Sequence, residues 1–266
     1  YDENDQPYVA YTKDSYAIQW GRIKNGFKDA FTSPKLVPAL AYSFGLLALA
    51  VIKDFRVPYE IAFMGAVAFD VGESRGTASA VSPVTMNHTC TGTDRVLVVG
   101  AFGDNATAVT YNSVAMTLGI ESANAVAGGW YLIGPASGTN TISATHPATT
   151  GLGAASFTGA NNVNNWATNG ATSTTASVSV TSAVGNLVVG LCYSNAIGGG
   201  QPASGNTAIY NEQDAAFSHA MSYAAGASSV SMTWTVGNQL WRTIGGNVVA
   251  GTQVLPGDNF QMGANF

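Results

Sequence analysis

From residue 61 onward, apolar and polar residues come in short runs. "EIAFMGAVAFDVG", at its start, is the first of about thirteen Val-, Thr- and Tyr-containing segments separated by Gly, Asn and Ser. Short runs broken by turn residues predict strands rather than helices. In "TTASVSVTS", Ala176, Val178 and Val180 alternate with Ser177, Ser179 and Thr181. This is the period of a half-buried antiparallel strand. In "RVLVVGAF" the apolar run is continuous, which predicts a strand covered on both faces. "VTYNSVAMTLGI", residues 109–120, reads as strand, turn, strand. The predicted architecture is mainly β: a two-sheet antiparallel, jelly-roll-like sandwich over 61–252 with more strands than an immunoglobulin domain uses.

Residues 1–60 have a different pattern. Tyr16, Ile18, Trp20, Ile23, Phe27 and Phe31 fall near helical spacing, while Asn25-Gly26 would suit a hairpin turn. The spacing favours a helix over about 14–31. "LVPALAYSFGLLALAVI", residues 36–52, is uncharged and flanked by Lys35 and Lys53. It fits a buried or interface helix, a short membrane segment or, less well, a strand pair. Its position is wrong for a cleavable signal peptide. The segment 1–60 is therefore expected to be a partly helical anchor, with Leu36, Val37, Leu40, Phe44, Leu47, Leu49 and Ile52 as its apolar contacts. Residues 253–266 form a C-terminal extension whose Phe260 and Phe266 could dock on a neighbouring subunit.

Composition sharpens the class. Charged residues make up 9% of the chain, against about 25% in an ordinary soluble domain. Hydroxyl and amide side chains fill the gap, so the surface is polar without being ionic. That suits a virion surface or an extracellular setting, and packing beside identical copies. Seven of the ten basic residues lie in the first 56, and no lysine follows Lys53. The C-terminal domain therefore cannot supply the clustered cations of a nucleic-acid surface. Cys90 and Cys192 both sit in strand-like runs, and either free thiols or a bridge is compatible with the sequence.

"HTCTGTDRVLVVG", "VTYNSVAMT", "WYLIGPASGTNTIS", "ASFTGANN", "TTASVSVTSAVGNLVVG" and "SVSMTWTVGNQLWRTIGGNVV" occur in that order. Together they resemble a β-sandwich module of phage virion proteins and bacterial surface proteins, over about residues 66–252. The resemblance implies a lectin-like jelly-roll fold and a structural or adhesive role. It implies no catalytic residues and no cofactor.

The search for chemistry finds little. His88 and Cys90 would share one strand face, but a dyad or metal pair there lacks further ligands. Glu212 and Asp214 also share parity and suggest, at most, a loop carboxylate pair or a calcium ligand. There is no GxSxG elbow and no phosphate loop. The segments 159–175 and 194–206 read as long surface loops. Trp166, with Tyr193 and Tyr210 behind it, is the best candidate for stacking on a glycan. The expected protein is a non-enzymatic structural component of an extracellular assembly, most simply a phage or virus particle, as capsid decoration or fibre. Its partners would be copies of itself and other subunits. A carbohydrate-binding adhesin and a membrane-tethered surface protein are the alternatives.

Overall fold

A continuous apolar strand needs cover on both sides, and Val96–Gly103 is such a strand. Val96, Leu97, Val98 and Val99 are all completely buried. The computed structural model describes residues 63–64, 66–74, 79–104, 106–148, 150–195, 203–213 and 217–253. All of them belong to one unit, Ile61–Phe266. The helix expected over 14–31, the anchor residues of 36–52, Phe260 and Phe266 lie outside the described residues.

The described chain is mainly β and every paired strand is antiparallel. In order, β1 is Phe63–Met64, β2 Ala68–Ser74, β3 Val84–Cys90 and β4 Val96–Gly103. Next come β5 Ala108–Tyr111, β6 Val114–Ala115, β7 Thr117–Glu121, a short 3-10 turn at Ala123–Ala125, and β8 Ala127–Ile133. They are followed by β9 Gly138–Thr145, β10 Thr150–Thr158, β11 Ala160–Val180 and β12 Leu187–Ser194. The series closes with β13 Ala203–Ser204, β14 Thr207–Gln213, β15 Ser218–Ala225, β16 Val230–Ala250 and β17 Thr252–Gln253.

Three main sheets replace the expected two. A central sheet runs β2-β10-β4-β8-β7, a second β3-β9-β5-β6, and a third β11-β16-β12-β15-β14, with β13 attached to β16. β1 and β17 form a separate pair. The even positions of β4, Val96, Val98 and Phe102, join Val189, Leu191, Met221 and Ile244 in one core. Its odd positions, Leu97, Val99 and Ala101, join Val109, Tyr111, Ile142 and Ala144 in another. The central sheet is thus sandwiched between the other two. The two-sheet expectation fails because β4 is apolar on both faces and each face has its own cover.

β12 repeats this logic. Val189 and Leu191 face the central sheet, whereas Val188 and Cys192 belong to a third core with Ala176, Val178, Met232 and Trp234. That core exists because the 21-residue strands β11 and β16 double back. Their pairing shifts between Ser173/Gln239 and Thr175/Thr235, so one residue on β11 opposes three on β16. Such a bulge bends both strands. The distal half then covers β12 and the proximal half of β16: a β-carbon on Gly245 would meet Val180 Cγ2 at 2.4 Å. Asn169 Nδ2 donates to Ser177 O at 2.9 Å and Asn165 Nδ2 to Thr181 O at 3.0 Å, stitching the two halves of β11 together.

The Asn- and Thr-rich segment 159–175, expected to be a surface loop, is therefore mostly strand. Its backbone is paired with β16, and its amides serve a bend rather than a loop. The inward alternation of Ala176, Val178 and Val180 is as expected, at 0%, 3% and 1% exposure. The 109–120 stretch also turns as expected. Asn112 and Ser113 both have positive φ, 48° and 64°, as a two-residue hairpin turn requires.

Candidate functional site

The residues singled out from sequence do not form one site. Trp166 is partly buried at the edge of the first core. Its ring lies on three glycines. A β-carbon would approach it to 2.2 Å from Gly119 and to 2.8 Å from Gly129 and Gly246. Tyr131 packs beside it with ring centroids 6.0 Å apart. Tyr193 is 7% exposed and packs on Phe217. Tyr210 lies edge-on to His219, with its hydroxyl 3.3 Å from Nδ1. Burial, joined by the nearby Glu212 charge, pushes the Tyr210 hydroxyl pKa well above its usual value. Tyr193 and Tyr210 thus meet through Phe217 and His219 inside the core, and Trp166 packs with Tyr131 instead.

His88 and Cys90 do share the inward face of β3 and are both fully buried. What faces them was not legible in the sequence. The pairing of β2 with β10 shifts between Gly72/Ala155 and Phe69/Phe157. Beside that irregularity, Asp70 and Glu73 both turn toward β3, although their spacing of three would put them on opposite faces of a regular strand. Glu73 Oε2 lies 3.0 Å from His88 Nδ1, close but not aligned as a hydrogen bond. Asp70 accepts from the amide and hydroxyl of Thr91 and from Ser156 Oγ.

The electrostatics follow from this packing. Burial works to raise the Asp70 pKa, but the hydrogen bonds from Thr91 and Ser156 outweigh it and hold the carboxyl below its usual range. Burial raises Glu73 and lowers His88 to about 4, so the imidazole is neutral at pH 7. Burial also raises the Cys90 thiol, and it raises Tyr111 to about 12. Asp70 thus ties β2 to β10 through Ser156 and to the chain just beyond β3 through Thr91. Among the described residues no group of three His, Cys, Asp or Glu side chains is placed to hold a metal ion. Glu212 accepts from Ser74 Oγ at 2.8 Å and ties β14 to β2. Its expected partner Asp214 lies outside the described residues, as do residues 196–202 of the second expected loop.

Cys90 and Cys192 are free and belong to different cores. Burial holds the Cys192 thiol protonated.

A concave surface does occur elsewhere. A groove of about 470 Å³ opens where β7 and the 3-10 turn face the β4–β5 connection. Asp104, Leu118, Glu121, Asn124, Trp130 and Pro147 line it. Trp130 is 6% exposed and its indole N–H has no partner in the protein. The turn beneath Asn124 is fastened from both sides. Arg242 Nε donates to Ala123 O at 3.2 Å, and Ser122 Oγ accepts from the Ala127 amide at 3.0 Å. Sequence reasoning missed this groove because its residues share no motif and span 44 positions, 104 to 147.

Comparison of the chain with protein-family models, with curated proteins and with solved structures finds no match.

Proposed function

We propose that the protein is a non-enzymatic structural component of an extracellular assembly, a virion surface protein such as a capsid decoration or fibre being the simplest setting. In this reading residues 1–60, partly helical, mount the β domain on partner subunits. The jelly-roll, lectin-like kinship suggested by the ordered motifs belongs to the same reading.

One observation carries the proposal: the Asp70 and Glu212 carboxylates are engaged in hydrogen bonds that hold the central sheet to its neighbours. Asp70 ties β2 to Thr91 just beyond β3, Glu73 lies against His88 of β3, and Glu212 joins β14 to β2. The outward face of the second sheet supports it. Thr85, Asn87 and Thr89 stand opposite Ser143, Thr141 and Thr139. Asn87 and Thr89 are hydrogen-bonded to their neighbours across the strands at 3.1 and 2.8 Å. That face is uncharged and presents hydroxyls, so like copies can approach it without repulsion.

The test is assembly of the full chain against a Phe44→Asp/Leu47→Asp variant, followed by light scattering and electron microscopy. The expected result is a regular assembly for the first and a folded, unassembled protein for the second. Assembly of the variant at the parent level overturns the anchoring role of 36–52.

A further inference from the structure

Two features at opposite ends of the β domain match each other. At one end the chain turns over residues 183–186, between β11 and β12. Asn186 N donates to Ala183 O at 3.2 Å, and Gly185 has φ 92°. Val184, at the tip, is 90% exposed, the most open large apolar side chain among the described residues. The turn is pinned from both sides. Val67 N donates to Gly185 O at 2.9 Å, and Ser182 Oγ donates to Asn247 Oδ1 at 2.6 Å. A held turn thus presents a valine to solvent, and covering it costs little ordering entropy.

At the other end lies the groove of about 470 Å³, whose apolar wall includes Leu118, 42% exposed, and the exposed Pro147. Asp104 and Glu121 in its lining have interactions of their own, so an occupant need bring no cation. The Val184 turn suits it electrostatically. Residues 181–186, and the 226–229 connection bonded beside them through Gly226 N and Asn186 O, contain no ionisable side chain.

Strand polarity places the two features apart. β4 runs from Val96 to Gly103, about 25 Å. Asp104, in the groove, follows its far end. At its near end Ala160 N donates to Asp94 O, Ala160 pairs with Ala250, and Val248 pairs with Leu187. The 181–186 turn therefore belongs to the Val96 end, and its tip can meet a groove only on another copy. Unlike patches on like copies make contacts that repeat head to tail.

We propose that the β domains associate head to tail, the Val184 turn of one copy seating against Leu118 and Pro147 in the groove of the next. This interface rests on the reading of the chain as an assembly component, and it adds direction to the anchoring assigned to 36–52. One turn in one groove falls short of the roughly 800 Å² per partner of a stable complex. The contact is weak alone and becomes effective when copies are mounted together.

The test is oxidative cross-linking of the full chain carrying Val184→Cys and Leu118→Cys, at millimolar concentration, read on non-reducing gels. Both positions are exposed, and the native thiols are buried. The expected result is a ladder of trimers and higher species, absent from either single variant. It should also be absent when Ile133→Cys, exposed at the Val184 end, replaces Leu118→Cys. In sedimentation, Val184→Asp should remove the rise of average mass with concentration. Circular dichroism matching the parent shows that each variant folds. No ladder, or an equal ladder with Ile133→Cys, overturns the proposal. Repeating the experiment in the Phe44→Asp/Leu47→Asp chain separates the two interfaces. A ladder there supports a head-to-tail contact independent of 36–52. Regular assembly of the parent without a ladder overturns this contact and leaves the anchoring role standing.

Discussion

Gly190 lies directly under Trp234. A β-carbon on the glycine would stand 2.6 Å from Cη2 of the indole and 3.1 Å from Met232 Cβ. The doubled-back half of β16 can seat its largest side chain only because β12 offers no side chain at that point.

Gly190→Ala should therefore destabilise the β domain by about 1–3 kcal/mol, the usual cost of overfilling a packed core. Trp234 is 1% exposed and cannot swing into solvent without uncovering the third core. Chemical denaturation followed by tryptophan fluorescence measures the loss. An unchanged midpoint would show that the fold-back is not tightly seated.

Stability should fall as pH drops from about 6.5 to 4. The folded pKa of His88, about 4, lies below its ordinary 6.5. The unfolded chain thus binds the proton first, and stability present above pH 6.5 is lost on the way down. The full shift corresponds to roughly 3 kcal/mol. Asp70, whose pKa is lowered, adds to the loss at more acid pH, whereas Glu73, whose pKa is raised, opposes it. Denaturation midpoints of parent and His88→Gln between pH 4 and 8 check this. The variant should show a flatter slope across 4–6.5.

Trp166→Ala should cost about 3 kcal/mol through the cavity it opens. The ring fills the space above Gly119, Gly129 and Gly246 and supplies the nearest atom at each of them. Thermal unfolding reads this effect. A variant as stable as the parent would return Trp166 to the list of side chains held for a ligand.

Both thiols should be unreactive toward Ellman's reagent in the native protein and react fully in denaturant. They are buried in separate cores, and their pKa values are raised by that burial. Fast reaction of either one would contradict this packing.

How much was legible in the sequence can be followed along a few segments. The double burial of Val96–Phe102 was visible as an unbroken apolar run, because each residue of a two-faced strand must be apolar. The turn at Asn112-Ser113 was visible as well. What followed it was not: β6 stays with β5, whereas β7, two residues on, pairs with β8 in the central sheet. The chain changes sheets at Met116, which is 6% exposed, and no local pattern encodes that step. The 159–175 segment reads as a loop because Asn and Thr signal loops by composition, whereas the long partner strand β16 satisfies the same backbone. Asp70 and Glu73 lie three apart, so only the irregular pairing of β2 with β10, invisible in sequence, turns both toward the β3 side, where Glu73 meets His88 and Asp70 meets Thr91. The groove depends on tertiary assembly from its first residue to its last.

The central position of β16 has a mechanical consequence. Over residues 241–248 it is hydrogen-bonded to β11 on one side and β12 on the other. A pull along its axis loads both ladders in shear, so their bonds must fail together rather than one by one. Tension carried along this strand would therefore load two ladders at once instead of peeling one edge.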